Sequence, residues 1–202
     1  MSKKTKSTKI IIVESAWDLF YKKGYEHTTI DDIVEASNTS KGSFYHYFKS
    51  KSDLLNTITD LFDELNEELM ESLDPSLNPI KKLMFIVDEL FKSIENRLPE
   101  SLLAEYMALQ ITTKGHRHFL ESDRAYYRLI RQILTEGQEQ GIFTERLRMN
   151  DLIRAFATFE RGVVYDWCLA RGNYTLSEYG RLLYMSFFKG FLKEEFYYLL
   201  DE

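Results

Sequence analysis

One cysteine, three prolines and nine glycines in 202 residues leave little in this chain to cross-link or interrupt it. The lone thiol, Cys168, excludes an intrachain disulfide and a thiolate metal cluster. No apolar run approaches the ~18 residues needed to span a bilayer. The opening stretch, MSKKTKSTK, has positive charge but no apolar segment of signal-peptide length behind it. These absences predict a soluble, cytoplasmic protein with no membrane partner. Also missing are a Gly-rich phosphate loop behind a strand, a Gly-x-Ser-x-Gly elbow and an HExxH pair. The expectation is therefore no enzyme, no cofactor and no metal. Cys168 beside Trp167 reads as a small buried apolar residue. His116 and His118, with Glu121 nearby, have a His-x-His spacing that sends the rings to different sides of a helix, and they read as a solvated helix start.

What is present is unevenly placed. The formal net charge is −6, yet residues 1–52 carry a net +3 and residues 53–202 a net −9. A small basic head on a larger acidic body implies an anionic partner for the head alone. With 44% hydrophobic residues the chain can bury a sizeable core.

Almost every segment repeats its apolar residues with helical period, and no strand-like alternation bounded by turns is found. Ile10, Val13, Ala16, Trp17 and Phe20 form one stripe of a first helix over 8–23, and Gly24 follows as its stop. Thr29 stands three residues before Asp32, a capping-box spacing that opens a short helix ending near Ala36. The polar turn Ser37-Asn38-Thr39-Ser40 follows, and Ser40 caps a helix starting at Lys41. Ser50 before Asp53 opens a long helix with the stripe Leu54, Ile58, Leu61, Leu65 and Leu69. Further helices are predicted over 80–97, 100–113, 117–139, 150–171 and 176–199. The fold class is all-α: an N-terminal three-helix head joined by a long helix to a helical body. The division falls at 1–52 for a helix-turn-helix DNA-binding domain and 53–202 for a helical regulatory and dimerisation domain.

The segment TSKGSFYHYFKSK, residues 39–51, holds three lysines in a chain that is otherwise acidic. At about 100° per residue, Phe44 and Phe48 share one side of the helix and Gly42, Ser43, Tyr45 and His46 spread over the other. The outward set is a lysine for phosphate or a guanine edge, a glycine that allows backbone to approach a surface, and Ser, Tyr and His donors for phosphate oxygens. A recognition helix in a DNA major groove has these requirements, and two capped helices joined by a short turn have the helix-turn-helix geometry.

The stretch GYEHTTIDDIVEASNTSKGSFYHYFKSKSDLL, residues 24–55, closely resembles the DNA-binding signature of the tetracycline-repressor (TetR/AcrR) family. The Gly-aromatic-Thr-Thr entry, the Ser-Lys-Gly and the Tyr-x-Tyr-Phe-x-x-Lys occur in order at matching spacings. The resemblance implies a homodimeric transcription regulator, usually a repressor, on a palindromic double-stranded DNA operator. Carried over, it places Thr28 and Thr29 at phosphates. It sets Lys41, Gly42 and Ser43, behind the Ser40 cap, at base edges. Tyr45, His46, Tyr47, Lys49 and Lys51 fall on the DNA backbone. The family often has Gly-Val in the turn where this chain has Asn38-Thr39, and Asn tolerates the left-handed conformation needed there. A protein–protein adaptor of the same fold, with secondary or no DNA binding, is the alternative.

The body is rich in rings. Phe62, Phe85, Tyr106, Phe119, Tyr127, Phe159 and Trp167 are candidate walls of a small-molecule pocket. A net −9 and many rings favour an apolar or cationic effector over a simple anion. The last two helices show more apolar surface than one core contact needs, so Phe156, Val163, Leu183, Phe187, Gly190 and Phe191 are candidate dimer contacts in an intersubunit four-helix bundle.

Overall fold

A computed structural model describes residues 7–114, 120–121 and 124–200. In chain order the helices are α1 Thr8–Lys23, α2 Ile30–Ala36, α3 Lys41–Tyr47, α4 Thr57–Ser72, α5 Pro79–Arg97, α6 Glu100–Thr112, α7 Ala125–Glu139, α8 Met149–Leu169 and α9 Leu176–Lys189. Among the described residues the only extended pairing is an isolated bridge between Phe143 and Leu192, and no helix is long and apolar enough to cross a membrane. The all-α architecture expected from periodicity is the one observed.

Two compact units divide the chain: residues 1–61 with 99–119, and residues 62–98 with 120–202. The first unit therefore includes α6 as well as the N-terminal helices. Its core is Ile12, Ala16 and Phe20 from α1, Ile33 from α2, Phe44 from α3, and Phe48 and Leu54 behind them, all buried. Burial of the leucine, isoleucine and phenylalanine side chains stabilises by roughly 1.5–3 kcal/mol each, which holds the short α2 and α3 that would not persist alone. Polar pins add direction: the Trp17 indole donates to Thr57 Oγ1 at 2.9 Å, and Lys23 pairs with Asp32 at 2.6 Å.

The helix expected to open at Ser50 and run unbroken does not start as an α-helix. Lys51–Asn56 is a 3-10 turn, and α4 begins at Thr57. The Thr57 hydroxyl donates back to the Leu54 carbonyl at 2.6 Å while accepting the Trp17 indole N–H. The Thr57 backbone N–H donates to the same Leu54 carbonyl, the i to i−3 bond of the tighter winding.

In the second unit α5 packs on α9 and α7, and α8 packs on α7 and α9. Gly180 makes the α5–α9 approach possible, because a Cβ there would lie 2.3 Å from the Phe91 ring. Lys82 on α5, buried, grips Glu136 on α7 at 2.7 Å, and Arg124 holds Asp63 at 3.1 Å. The last helix was expected to reach 199 but stops at Lys189. The chain turns at Gly190 so that Thr144 N–H donates to the Phe191 carbonyl at 2.8 Å and Lys193 N–H to the Ile142 carbonyl at 3.1 Å. Two backbone bonds to another segment outcompete continuation of the helix, and a 3-10 turn over Glu194–Leu200 follows. α7 begins at Ala125 rather than 117, and the predicted start lies outside the described residues.

Candidate nucleic-acid interface

The turn between α2 and α3 is built from side chains. α2 opens on a complete capping box, with the Asp32 amide donating to Thr29 Oγ1 at 3.1 Å and the Thr29 amide donating to Asp32 Oδ2 at 2.7 Å. Its end is closed by the Ser37 hydroxyl donating to the Ile33 carbonyl at 2.6 Å. Asn38 then takes φ of 49°, the left-handed conformation for which its side chain is suited. Ser40 caps α3 by accepting from the Ser43 amide at 3.0 Å. Thr29 and Ser40 thus serve as caps while remaining exposed.

The outward face of α3 matches its sequence reading. Phe44 is buried, whereas Lys41, Gly42, Tyr45, His46 and Tyr47 are exposed, as is Lys49 just beyond the helix, and Ser43 is half-buried. The His46 ring stands edge-on to Tyr47 with centroids 4.7 Å apart. Among the described residues a methyl group at Gly42 would meet only Ser40 Oγ, at 3.6 Å. The fold therefore does not need a glycine there. Lys41 Nζ is 2.7 Å from Asp31 Oδ1, both side chains well exposed, and this pairing raises the lysine's pKa through the hydrogen bond and the charge.

Two residues expected at phosphates, Thr28 and Lys51, make contacts inside the unit. Thr28 is 1% exposed and its hydroxyl donates to the Gly24 carbonyl at 2.8 Å, so it closes the α1–α2 turn rather than facing solvent. Lys51 Nζ donates to the Tyr25 carbonyl at 2.7 Å and lies 4.1 Å from the centre of the Tyr25 ring. Burial, followed by the charges of Glu105 and Glu26, pushes the Tyr25 hydroxyl up to about 12.

The proposed pocket residues fall into several settings. Tyr106 is buried in the first unit with its hydroxyl 2.8 Å from Thr59 Oγ1. Phe62, Phe85, Tyr127, Phe159 and Trp167 belong to the second unit. Trp167 is pinned there by its indole N–H to the Tyr174 carbonyl at 2.9 Å. Phe119, like His116 and His118, lies outside the described residues. Among the described residues no three His, Cys, Asp or Glu side chains gather as a metal site.

The sequence reading missed a polar group inside the second unit. Glu160 of α8, Tyr126 of α7 and Tyr184 of α9 are all buried. The two hydroxyls face the carboxyl closely enough to interact with its charge, yet among the described residues Glu160 Oε1 and both hydroxyl oxygens lack a well-formed hydrogen bond. Burial pushes the Glu160 carboxyl up to about 7 against the opposing pull of the tyrosines and Arg161. The signal was in the sequence: position 160 interrupts the apolar face of Phe156, Val163, Val164 and Trp167.

Two of the expected dimer contacts are interior. Phe156 and Val163 are buried within the single chain, Phe156 against Phe187, Phe188 and Phe191 at centroid distances of 5.2 to 5.6 Å. Phe187 is stacked on Phe159 at 4.1 Å, half-buried like Leu183 and Phe191, while Gly190 is exposed. The surface of these two helices instead shows Leu169 at 66% and Leu182 at 60% exposure, with Tyr165 and Tyr179 also outward. On α8 they continue a line through exposed Thr158 and Gly162, and on α9 through exposed Ser186.

Residues 12–58 match the family model described as bacterial regulatory proteins, tetR family, and residues 56–190 match YsiA-like protein, C-terminal region. The chain is 26% identical over 172 residues to the HTH-type transcriptional repressor KstR2 of Mycolicibacterium smegmatis, covering 84% of this chain and 83% of that one. It is 36% identical over 87 residues to IcaR of Staphylococcus aureus, a negative regulator of the icaADBC biofilm operon, covering 43% of this chain and 47% of that one. Its fold is similar to the Thermus thermophilus repressor FadR solved with lauroyl-CoA, with TM-score 0.68 and 22% identity over 86% of this chain and 91% of that one.

Proposed function

The chain belongs to the tetR family of bacterial regulatory proteins, and from that premise we infer that it is a DNA-binding transcriptional repressor that acts as a homodimer on a palindromic operator and leaves it when a small molecule enters the body. The observation that carries this reading is the exposed face of α3. A helix fixed by its own caps and by Phe44 holds Lys41, Gly42, Tyr45 and His46 outward, where a groove needs one cation, one flat approach and hydroxyl or imidazole donors. In this reading Lys41, Gly42 and Ser43 face base edges, and Tyr45, His46, Tyr47 and Lys49 grip the backbone beside Thr29 and Ser40.

Dimerisation is assigned to the outward faces of α8 and α9. Tyr165, Leu169, Tyr179 and Leu182 with the small residues between them would pair with the same faces of a second copy. The effector is assigned to the second unit, whose rings suit an apolar molecule. The lauroyl-CoA held by the Thermus relative is one example of a ligand with such a chain. Release follows from population shift: an effector that binds one spacing of the two heads better than the other biases the dimer away from DNA.

Selection of binding sites from random duplex DNA tests this reading. The expected product is a palindrome bound in a strongly salt-dependent way by the dimer. Recovery of no preferred sequence would favour the adaptor reading of the fold.

A further inference from the structure

A carboxyl group in an apolar interior needs a reason. Unpaired burial of such a group is costly, and among the described residues no lysine or arginine forms an ion pair with Glu160. Arg161, its neighbour on α8, directs its guanidinium to Tyr127 Oη at 3.4 Å and Thr158 Oγ1 at 3.2 Å. The groups facing Glu160 from the packed helices are the Tyr126 hydroxyl from α7 and the Tyr184 hydroxyl from α9. Burial holds both phenols well above their ordinary pKa, so they stay protonated. Tyr184 itself sits in a ring cluster: measured from its ring, Phe159 stands edge-on at 5.0 Å, Phe187 lies at 5.9 Å and Phe91 of α5 at 6.1 Å.

A buried carboxyl with one oxygen and two facing phenols short of well-formed hydrogen bonds, beside the rings packed around Tyr184, matches the recognition chemistry of a positively charged nitrogen. We propose that Glu160, with Tyr126 and Tyr184, forms the seat of a cationic nitrogen, so that the effector class is an apolar amine or quaternary ammonium compound. This deepens the effector-release reading and rests on it. A bound cation supplies the missing counter-charge, and the aromatic rings face the methyl or methylene groups around the nitrogen.

A further consequence follows from linkage. In the empty protein the carboxyl is largely protonated below neutral pH, and a permanent cation favours the ionised form. Affinity for a quaternary ammonium therefore rises as pH increases through about 7 and then levels, while affinity for a neutral molecule of the same shape stays flat.

The experiment is calorimetric titration of the full chain with dodecyltrimethylammonium below its micellar concentration, dodecanol, and lauroyl-CoA, each at pH 6 and pH 8. The same titrations are made with Glu160→Gln and Tyr184→Phe, whose folding is checked by thermal melts. The expected result is a preference of about tenfold or more for the ammonium over dodecanol at pH 8, reduced at pH 6 and absent in Glu160→Gln. The smaller change Tyr184→Phe is expected to weaken the preference without removing it. Equal affinity for the two probes, tighter binding of lauroyl-CoA, or a preference that survives Glu160→Gln would each overturn the site. Titration on the selected operator separates this from the parent reading. Ammonium binding with the stated preference but no loss of operator supports the site and removes the release mechanism. Release by another molecule with no ammonium preference overturns the site and leaves the mechanism in place.

Discussion

Lys41 Nζ lies 2.7 Å from Asp31 Oδ1, so the cation assigned to base edges is held by a carboxylate on the preceding helix when DNA is absent. Both groups are well exposed, so water and salt screen the pair and it is easily exchanged. Docking exchanges the Asp31 carboxylate for a base edge or phosphate. Asp31→Asn removes the competitor and one negative charge near the duplex. Binding to operator and to scrambled DNA should both tighten, by roughly threefold at moderate salt, with the larger effect at low salt. Anisotropy titrations at several salt concentrations check this, and unchanged affinity on both duplexes would mean that Asp31 does not restrain Lys41.

The lysines of the segment now divide into three roles. Lys41→Ala should cost roughly 1–3 kcal/mol on the operator and little on scrambled DNA. Lys49 is exposed, and Lys49→Ala should weaken both duplexes alike and lower the log–log salt slope by about one. Lys51→Ala should also lower the melting temperature, because it removes the bond to the Tyr25 carbonyl and the contact with its ring. If Lys41→Ala and Lys49→Ala behave identically on both duplexes, α3 is not reading sequence.

Gly42→Ala separates contact distance from folding. Among the described residues the added methyl meets only Ser40 Oγ at 3.6 Å, and alanine is a better helix former by up to about 1 kcal/mol. The melting temperature should hold or rise while operator affinity falls. A fall in stability would show that the glycine serves the fold.

The head was legible because its signals are local. Thr29, Ser40 and Ser50 sit at fixed offsets from the amides they cap, and the observed starts of α2 and α3 follow from those offsets. Thr28 was misassigned because its partner, the Gly24 carbonyl, is set by how α1 ends and not by the α2 pattern. The end of α9 was misjudged for a related reason, since backbone bonds from Ile142 and Thr144 are distant in sequence. Phe156 and Phe187 carry the same periodic signal whether they meet each other or another subunit, so periodicity alone could not tell core from interface. Glu160 was visible as a charged interruption in an apolar face, but its tyrosine neighbours come from α7 and α9.

The pairing surface is best tested away from the ring cluster. A charge at Phe187 would break its stacking on Phe159 at 4.1 Å and confuse unfolding with dissociation. Leu182 is 60% exposed, so Leu182→Glu should leave the monomer's melting behaviour largely intact and shift sedimentation from dimer to monomer at micromolar concentration. A dimer that persists with Leu182→Glu and Leu169→Glu combined would place the interface elsewhere.

Glu160 also gives stability a predictable pH dependence. Its folded-state pKa is raised to about 7 from an ordinary 4.5, with burial as the main cause. Below about 4.5 the carboxyl is protonated in both folded and unfolded chains, and no charge is buried. Between about 4.5 and 7 the unfolded chain ionises while the folded one retains its proton, so stability is lost as pH rises through this window. Above about 7 both states are ionised and the loss is complete, amounting to roughly 3 kcal/mol. Glu160→Gln removes this dependence with little change in shape. The variant should melt several degrees above wild type at pH 8, and the difference should shrink toward zero at pH 4.5. Contributions from all other titrating groups cancel in that comparison, so an equal difference at both pH values would mean that the Glu160 carboxyl keeps its ordinary pKa in the folded protein.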